Sequence, residues 1–130
     1  MSNLDIKQID VCDMKDFHIG SAEDFDKLTG VTVISSKDGA TASVDVRGGG
    51  PATRETDLLS PENMVQAIHA VVLSGGSAYG LEASSGVMDY LASKDIGFDV
   101  GVGKVPIVCG ASLFDLQIGQ NSYPNKDMGY

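Results

Sequence analysis

Apolar positions in this chain fall into short runs, divided by glycine clusters and acidic stretches. Val31-Thr32-Val33-Ile34-Ser35 is β-branched and predicts a strand. Ser36-Lys37-Asp38-Gly39 follows it, and Ala42, Val44 and Val46 then alternate with polar residues. Asp-Gly between two such runs predicts an antiparallel hairpin over 31–46. Arg47-Gly48-Gly49-Gly50-Pro51 ends the second strand, because glycine and proline break a ladder. Ser60-Pro61-Glu62 has the form of a helix start, with Met64, Val65 and Ile68 on its apolar face. His69-Ala70-Val71-Val72-Leu73 is continuously apolar and predicts a buried strand. A Ser74-Gly75-Gly76-Ser77 turn leads into a helix from about Ala78 to Lys94, where Leu81, Val87, Met88 and Leu91 recur at near-helical spacing. Gly80 and Gly86 inside that helix each weaken it by about 1 kcal/mol, which makes sense where something packs closely. Ile96 to Val100 predicts a short strand and Gly101-Val102-Gly103 a turn. The runs 105–108 and 112–116 are apolar and ambiguous, and 117–130 reads as loop.

Residues 1–30 are polar and acidic, with islands such as Phe17-His18-Ile19. They are expected as a loosely structured N-terminal arm with one short strand, ahead of the N-terminal portion of a larger domain over 31–130. A length of 130 residues fits about one domain. The predicted strands are few and scattered, and Asp127-Met128-Gly129-Tyr130 resembles an approach to a further element. The expectation is therefore part of a larger fold.

Charge narrows the partners. Nine Lys and Arg against 18 Asp and Glu give a net charge of −9, and no basic patch occurs. Nucleic acid and anionic membrane surfaces are excluded as expected partners. No apolar run reaches the ~18 residues of a membrane helix. Two cysteines, Cys12 and Cys109, without CxxC spacing, give no disulfide framework, so a cytoplasmic location is expected.

Candidate chemistry is sparse. The strand–Gly turn–helix at 71–81 can line a ligand site with Gly75, Gly76 and Ser77, but a structural tight turn is the plainer reading. It is neither GxGxxG nor a P-loop, and in G-x-S-x-G terms Tyr79 stands where the last glycine belongs. His18 and His69 lack partners at metal-ligand spacing, so no metal or other cofactor is expected. Cys109 reads as a small buried residue. Arg47 and Arg54 belong to a solvated loop, or else one of them anchors that loop against another segment. These residues alone support an acidic α/β fragment and no more.

The stretches Val44 to Leu59, His69 to Leu81, Gly97 to Val100, Val105 to Val108, Leu113 to Leu116 and Met128 to Tyr130 together resemble peptidase family P1. That family contains the L-aminopeptidase/D-esterases, the β-peptidyl aminopeptidases and the nylon-oligomer hydrolases. The resemblance implies an α-β-β-α sandwich, here incomplete, like that of ornithine acetyltransferase. It also implies a precursor that cuts itself, freeing an N-terminal Ser or Thr that attacks an amide or ester carbonyl. No residue of this chain matches that nucleophile, so no catalytic residue is assigned and the chain is expected to be inactive alone. Two substrate-binding positions match: Phe114, where some members carry a Tyr near the oxyanion, and Ser112, where aminopeptidase members carry a Glu for the substrate's amino group. The implied partners are a small amide, peptide or ester substrate, and other copies or a complementary subunit. The competing readings are a non-catalytic interaction module and a small-ligand binding domain.

Overall fold

The computed structural model describes residues 6–130. Seven strands and two helices follow in order: β1 (His18–Asp24), β2 (Thr29–Ala40), β3 (Thr53–Arg54), β4 (Ile68–Ser74), α1 (Ala83–Ser93), β5 (Phe98–Asp99), β6 (Lys104–Val105), β7 (Val108–Ser112) and α2 (Lys126–Gly129). Five strands form one mixed sheet in the order β1-β2-β4-β7-β3, in which only β4 and β7 run parallel. β5 and β6 form a small separate ribbon.

The predicted strand at 69–74 is β4, at the centre of the sheet. The predicted helix is present too, entered through a 3-10 turn at Ser77–Glu82. Pleating sends Ala70 and Val72 of β4, Val31 of β2 and Val108 of β7 to one face, where Ala83, Val87 and Leu91 of α1 cover them. All seven are buried, and full burial of a Val or Leu side chain is worth about 1.5–3 kcal/mol. The glycine in α1 has its packing reason. A Cβ on Gly86 would run into the Lys126 carbonyl, and one on Gly129 into that of Ala83, so α1 and α2 meet backbone to backbone.

Three expectations are corrected. The 31–46 hairpin does not form: β2 runs through Asp38-Gly39, and the hairpin is β1–β2. Gly39 takes its positive φ of 82° in a bulge, where pairing with β4 jumps from Ser35↔Ala70 to Ala40↔Ile68. The true hairpin turn, 25–28, is built by the Asp24 carboxylate, which accepts the N–H groups of Asp26 and Lys27. The helix expected from Ser60 is a set of turns. Only six residues separate Pro61 from β4, too few to repay helix nucleation, and side-chain bonds such as Asn63 Nδ2 to the Asp57 carbonyl (2.6 Å) fix the segment instead. The C-terminal stretch expected as loop carries α2, capped by Asn125 Oδ1 on the Met128 N–H. Within the span expected as an arm, β1 pairs along β2 over seven residues, and residues 1–5 lie outside the described part.

The opposite sheet face is covered only near Ile68, Ile107 and Cys109, by Leu58, Leu59 and Val65. Farther along it, Ile19 and Leu73 are each 49% exposed. No described helix is long and apolar enough to cross a membrane.

Candidate functional site

β4 and β7 both end on a serine, Ser74 and Ser112, side by side in register. Ligand sites in sheets with parallel strands gather at these carboxyl ends. The Ser74 hydroxyl donates to the Gly80 carbonyl (3.1 Å), and the two serine Oγ atoms lie 2.5 Å apart. Since the Ser74 proton is committed to Gly80, Ser112 is the donor in the pair. Its oxygen is left with lone pairs only.

The Gly75-Gly76 turn follows directly. Asp115 reaches into it, its Oδ1 accepting the Gly76 N–H at 2.6 Å. A Cβ on Gly75 would overlap Asp115 Oδ2, and one on Gly76 would overlap the Tyr123 side chain. Gly76 also sits at φ 85°. Both glycines are therefore required, one by crowding and one by crowding and dihedral together. Ser77 has a positive φ of 55°, and its N–H donates to the Leu113 carbonyl (2.7 Å). With Asp115 and Leu113 occupying the donors at this helix start, an anion has little to bind there.

Of the positions named from sequence, Gly75, Gly76, Ser77 and Ser112 converge at the ends of β4 and β7, tied through Leu113 and Asp115. Phe114 lies in the same segment and is largely exposed. Among the described residues, no histidine or lysine hydrogen-bonds the hydroxyl of Ser74, Ser77 or Ser112, so none of them has an activating base. Sequence reasoning did not single out Ser74, Asp115 or Thr29. A serine directly before a Gly-Gly turn was the one available signal for Ser74.

A cleft of about 730 Å³ opens at this end, lined by Thr29, Leu73, Gly75, Ser112, Leu113 and Asp115 among others. A second, of about 480 Å³, lies under the 42–53 segment and shares Leu73 and Ser112 with the first. No group of three or more potential metal-ligating side chains occurs among the described residues.

The other candidates are placed elsewhere. His69 is buried, and its Nδ1 accepts the Ile107 N–H at 3.1 Å. Burial holds its pKa below the usual histidine value. Cys109 is buried against the Glu55 carbonyl, and burial, helped by the Glu55 charge, pushes its thiol up, which makes it a poor nucleophile. Arg54 is the anchor of its loop: its Nη1 donates to Ser85 Oγ (2.9 Å) on α1, with Met88 Sδ against Nη2. Among the described residues, Arg47 pairs only with exposed Asp45. His18 lies on β1, away from the serines.

Comparison with known proteins agrees with the motif resemblance. The chain is 51% identical over 102 residues to an uncharacterized aminopeptidase of Mycobacterium tuberculosis (strain ATCC 25618 / H37Rv), covering 78% of this chain and 30% of that protein. It is 50% identical to an uncharacterized aminopeptidase of Mycobacterium leprae (strain TN) over 78% of this chain and 28% of that protein. It is 33% identical over 112 residues to a 6-aminohexanoate-oligomer endohydrolase of Paenarthrobacter ureafaciens, covering 85% of this chain and 29% of that protein. The chain thus spans about 30% of the length of these relatives. The model of peptidase family S58 matches residues 5–126, nearly the whole sequence, and the chain belongs to that family.

Proposed function

We propose that this chain is one part of an amide-bond hydrolase, an aminopeptidase or related amidase or esterase, whose N-terminal Ser or Thr nucleophile lies outside residues 1–130. The observation that carries the reading is the pairing of Ser74 and Ser112 at the parallel strand ends, beside a cleft, with no base hydrogen-bonded to either hydroxyl among the described residues. That arrangement binds and orients; it does not attack. The relatives' names support the amide-hydrolase assignment, and the chain spans only about 30% of their length.

In this reading the end of β4, the Gly75-Gly76 turn and the Ser112 to Asp115 segment form one wall of the substrate site. Backbone rigidity there comes from the Asp115 and Leu113 bonds across the turn. Phe114 offers an apolar surface and no hydroxyl, so an oxyanion needs donors from elsewhere. The half-open sheet face is completed by a second sheet, giving the α-β-β-α sandwich, and assembly with a complementary subunit or further copies supplies it. Both cysteines are free, in keeping with a cytoplasmic setting.

An intact-mass spectrum of the native protein, paired with turnover of amino-acid p-nitroanilides and nitrophenyl esters, tests this. A second polypeptide co-purifies, and activity follows it. Turnover by the 130-residue chain alone, abolished by Ser77→Ala, would overturn the proposal.

A further inference from the structure

We propose that the exposed 41–47 segment pairs with the same segment of a second copy of this chain, antiparallel about a two-fold axis at Val46. The pairing stands on the sheet and the charges alone and does not need the hydrolase reading.

The segment is a strand without a neighbour. It continues β2 beyond Ala40↔Ile68, the last pair that β2 makes with β4. Ala42, Val44 and Val46 alternate with Thr41, Ser43, Asp45 and Arg47, and no residue of 41–47 has a positive φ, as an extended chain requires. Yet among the described residues no backbone group of 43–50 hydrogen-bonds another backbone group, and residues 43–51 are all exposed. A row of free N–H and C=O groups is a template for a further strand.

Its two faces differ. Ala42 packs against the cluster of Ile68, Ile107 and Cys109 on the sheet. With the alternation of a strand, Val44 and Val46 follow it to the sheet side, over the cavity of about 480 Å³ that Leu73 and Ala111 help to floor. The other face carries Asp45 and Arg47, whose side chains are 68% and 84% exposed and whose Oδ2 and Nε lie 2.7 Å apart.

The charges choose the partner. The chain as a whole carries −9, which drives copies apart. Residues 41–52 hold one acid and one base, so this stretch is neutral. An antiparallel two-fold at Val46 sets each Asp45 opposite the Arg47 of the other copy. Residues directly opposite in an antiparallel pair have Cβ atoms about 4.5–5.5 Å apart, so both cross-strand ion pairs form together. A pairing centred on Asp45 or on Arg47 would instead set like charges face to face. A two-stranded ribbon alone is marginal in water. This one lays the valines of both copies over the apolar sheet faces that carry half-exposed Leu73, and that burial offsets the ordering of the segments. The contact is the same patch on both copies, so it closes as a dimer.

Sedimentation equilibrium of the 130-residue chain and of two charge variants, Asp45→Lys and Arg47→Asp, tests this. Both positions are exposed, so both variants should keep the circular dichroism of the unmodified chain. Each variant alone sets like charges opposite each other across the two-fold and should weaken self-association at least about fivefold. An equimolar mixture of the two brings opposite charges together again in the mixed dimer and should associate more tightly than either variant. The mixture separates pairing between copies from the Asp45–Arg47 pair within one copy, which both variants lack. Hydrogen exchange at alternate residues of 43–48 should slow as the unmodified chain is concentrated. A monomeric unmodified chain, unchanged association of either variant, a mixture no tighter than its components, or exchange that ignores concentration would each sink the proposal. The readout is association without turnover, so its failure leaves the hydrolase reading to its own assay.

Discussion

The Oγ of Ser112 lies 2.5 Å from that of Ser74, whose own proton goes to the Gly80 carbonyl. The relay joins β7, β4 and the start of the helix, so the two serines are unequal. Ser74 holds both bonds and is buried. Ser74→Ala strands the Ser112 donor and the Gly80 carbonyl together and should cost about 1–3 kcal/mol. Ser112→Ala leaves Ser74 bonded to Gly80 and should cost about 1 kcal/mol or less. Urea denaturation midpoints of the two variants check the order.

Gly86→Ala sets helix propensity against packing. Alanine gains about 1 kcal/mol in a helix interior. Its Cβ would strike the Lys126 carbonyl, and the Tyr130 N–H lies close by at 2.8 Å. Backbone cannot give way as a side chain can, so the net effect should be a loss of about 1–3 kcal/mol. Thermal unfolding measures it; an unchanged or raised midpoint would mean that α2 does not hold this position.

His69 makes stability depend on pH. Its folded pKa is lowered by burial, so the unfolded chain binds the proton more readily. Stability should rise with pH through the window below about 6.5 and level off above it. Protonation also removes the Nδ1 lone pair that accepts the Ile107 N–H. Melting temperatures between pH 5 and 8 should show this slope, and His69→Gln should flatten it in that range.

The sheet face carrying Ile19, Ile34, Val71 and Leu73 predicts self-association of the isolated chain. The outer edge of β1 adds unpaired backbone groups. Size-exclusion chromatography with light scattering should give a mass above one chain, rising with concentration. Leu73→Lys should return it to the monomer. A sharp monomer peak for the unmodified chain would mean that this face needs no cover.

The central strand, its Gly-Gly turn and the following helix were legible because their apolar pattern is unbroken and their contacts are close in sequence. The Asp38-Gly39 signal misled because a glycine with positive φ serves a bulge as well as a hairpin, and only pairing with β4 decides between them. The 25–28 turn has no glycine, so its determinant, the Asp24 carboxylate, was not visible as a turn signal. At the site, Gly75 and Gly76 stood out by type. Thr29 and Asp115 did not, because the β1–β2 hairpin and the β4–β7 crossover bring them in from distant sequence.

The position of β3 has a consequence for the time course of folding. During synthesis β1, β2 and β4 emerge in an order that lets β2 pair with each neighbour as it appears. β3 emerges before β4, yet its only strand partner among the described residues is β7, so Thr53 and Arg54 wait for Ala111 and Gly110. Until then the glycine-rich segment before β3 lacks the strand that its C-terminal end pairs with. Contacts of such separation close late and slow the approach to the native state. The 41–56 segment should therefore be the last to gain protection from hydrogen exchange in refolding, and the first to be cut by a protease acting on the nascent chain.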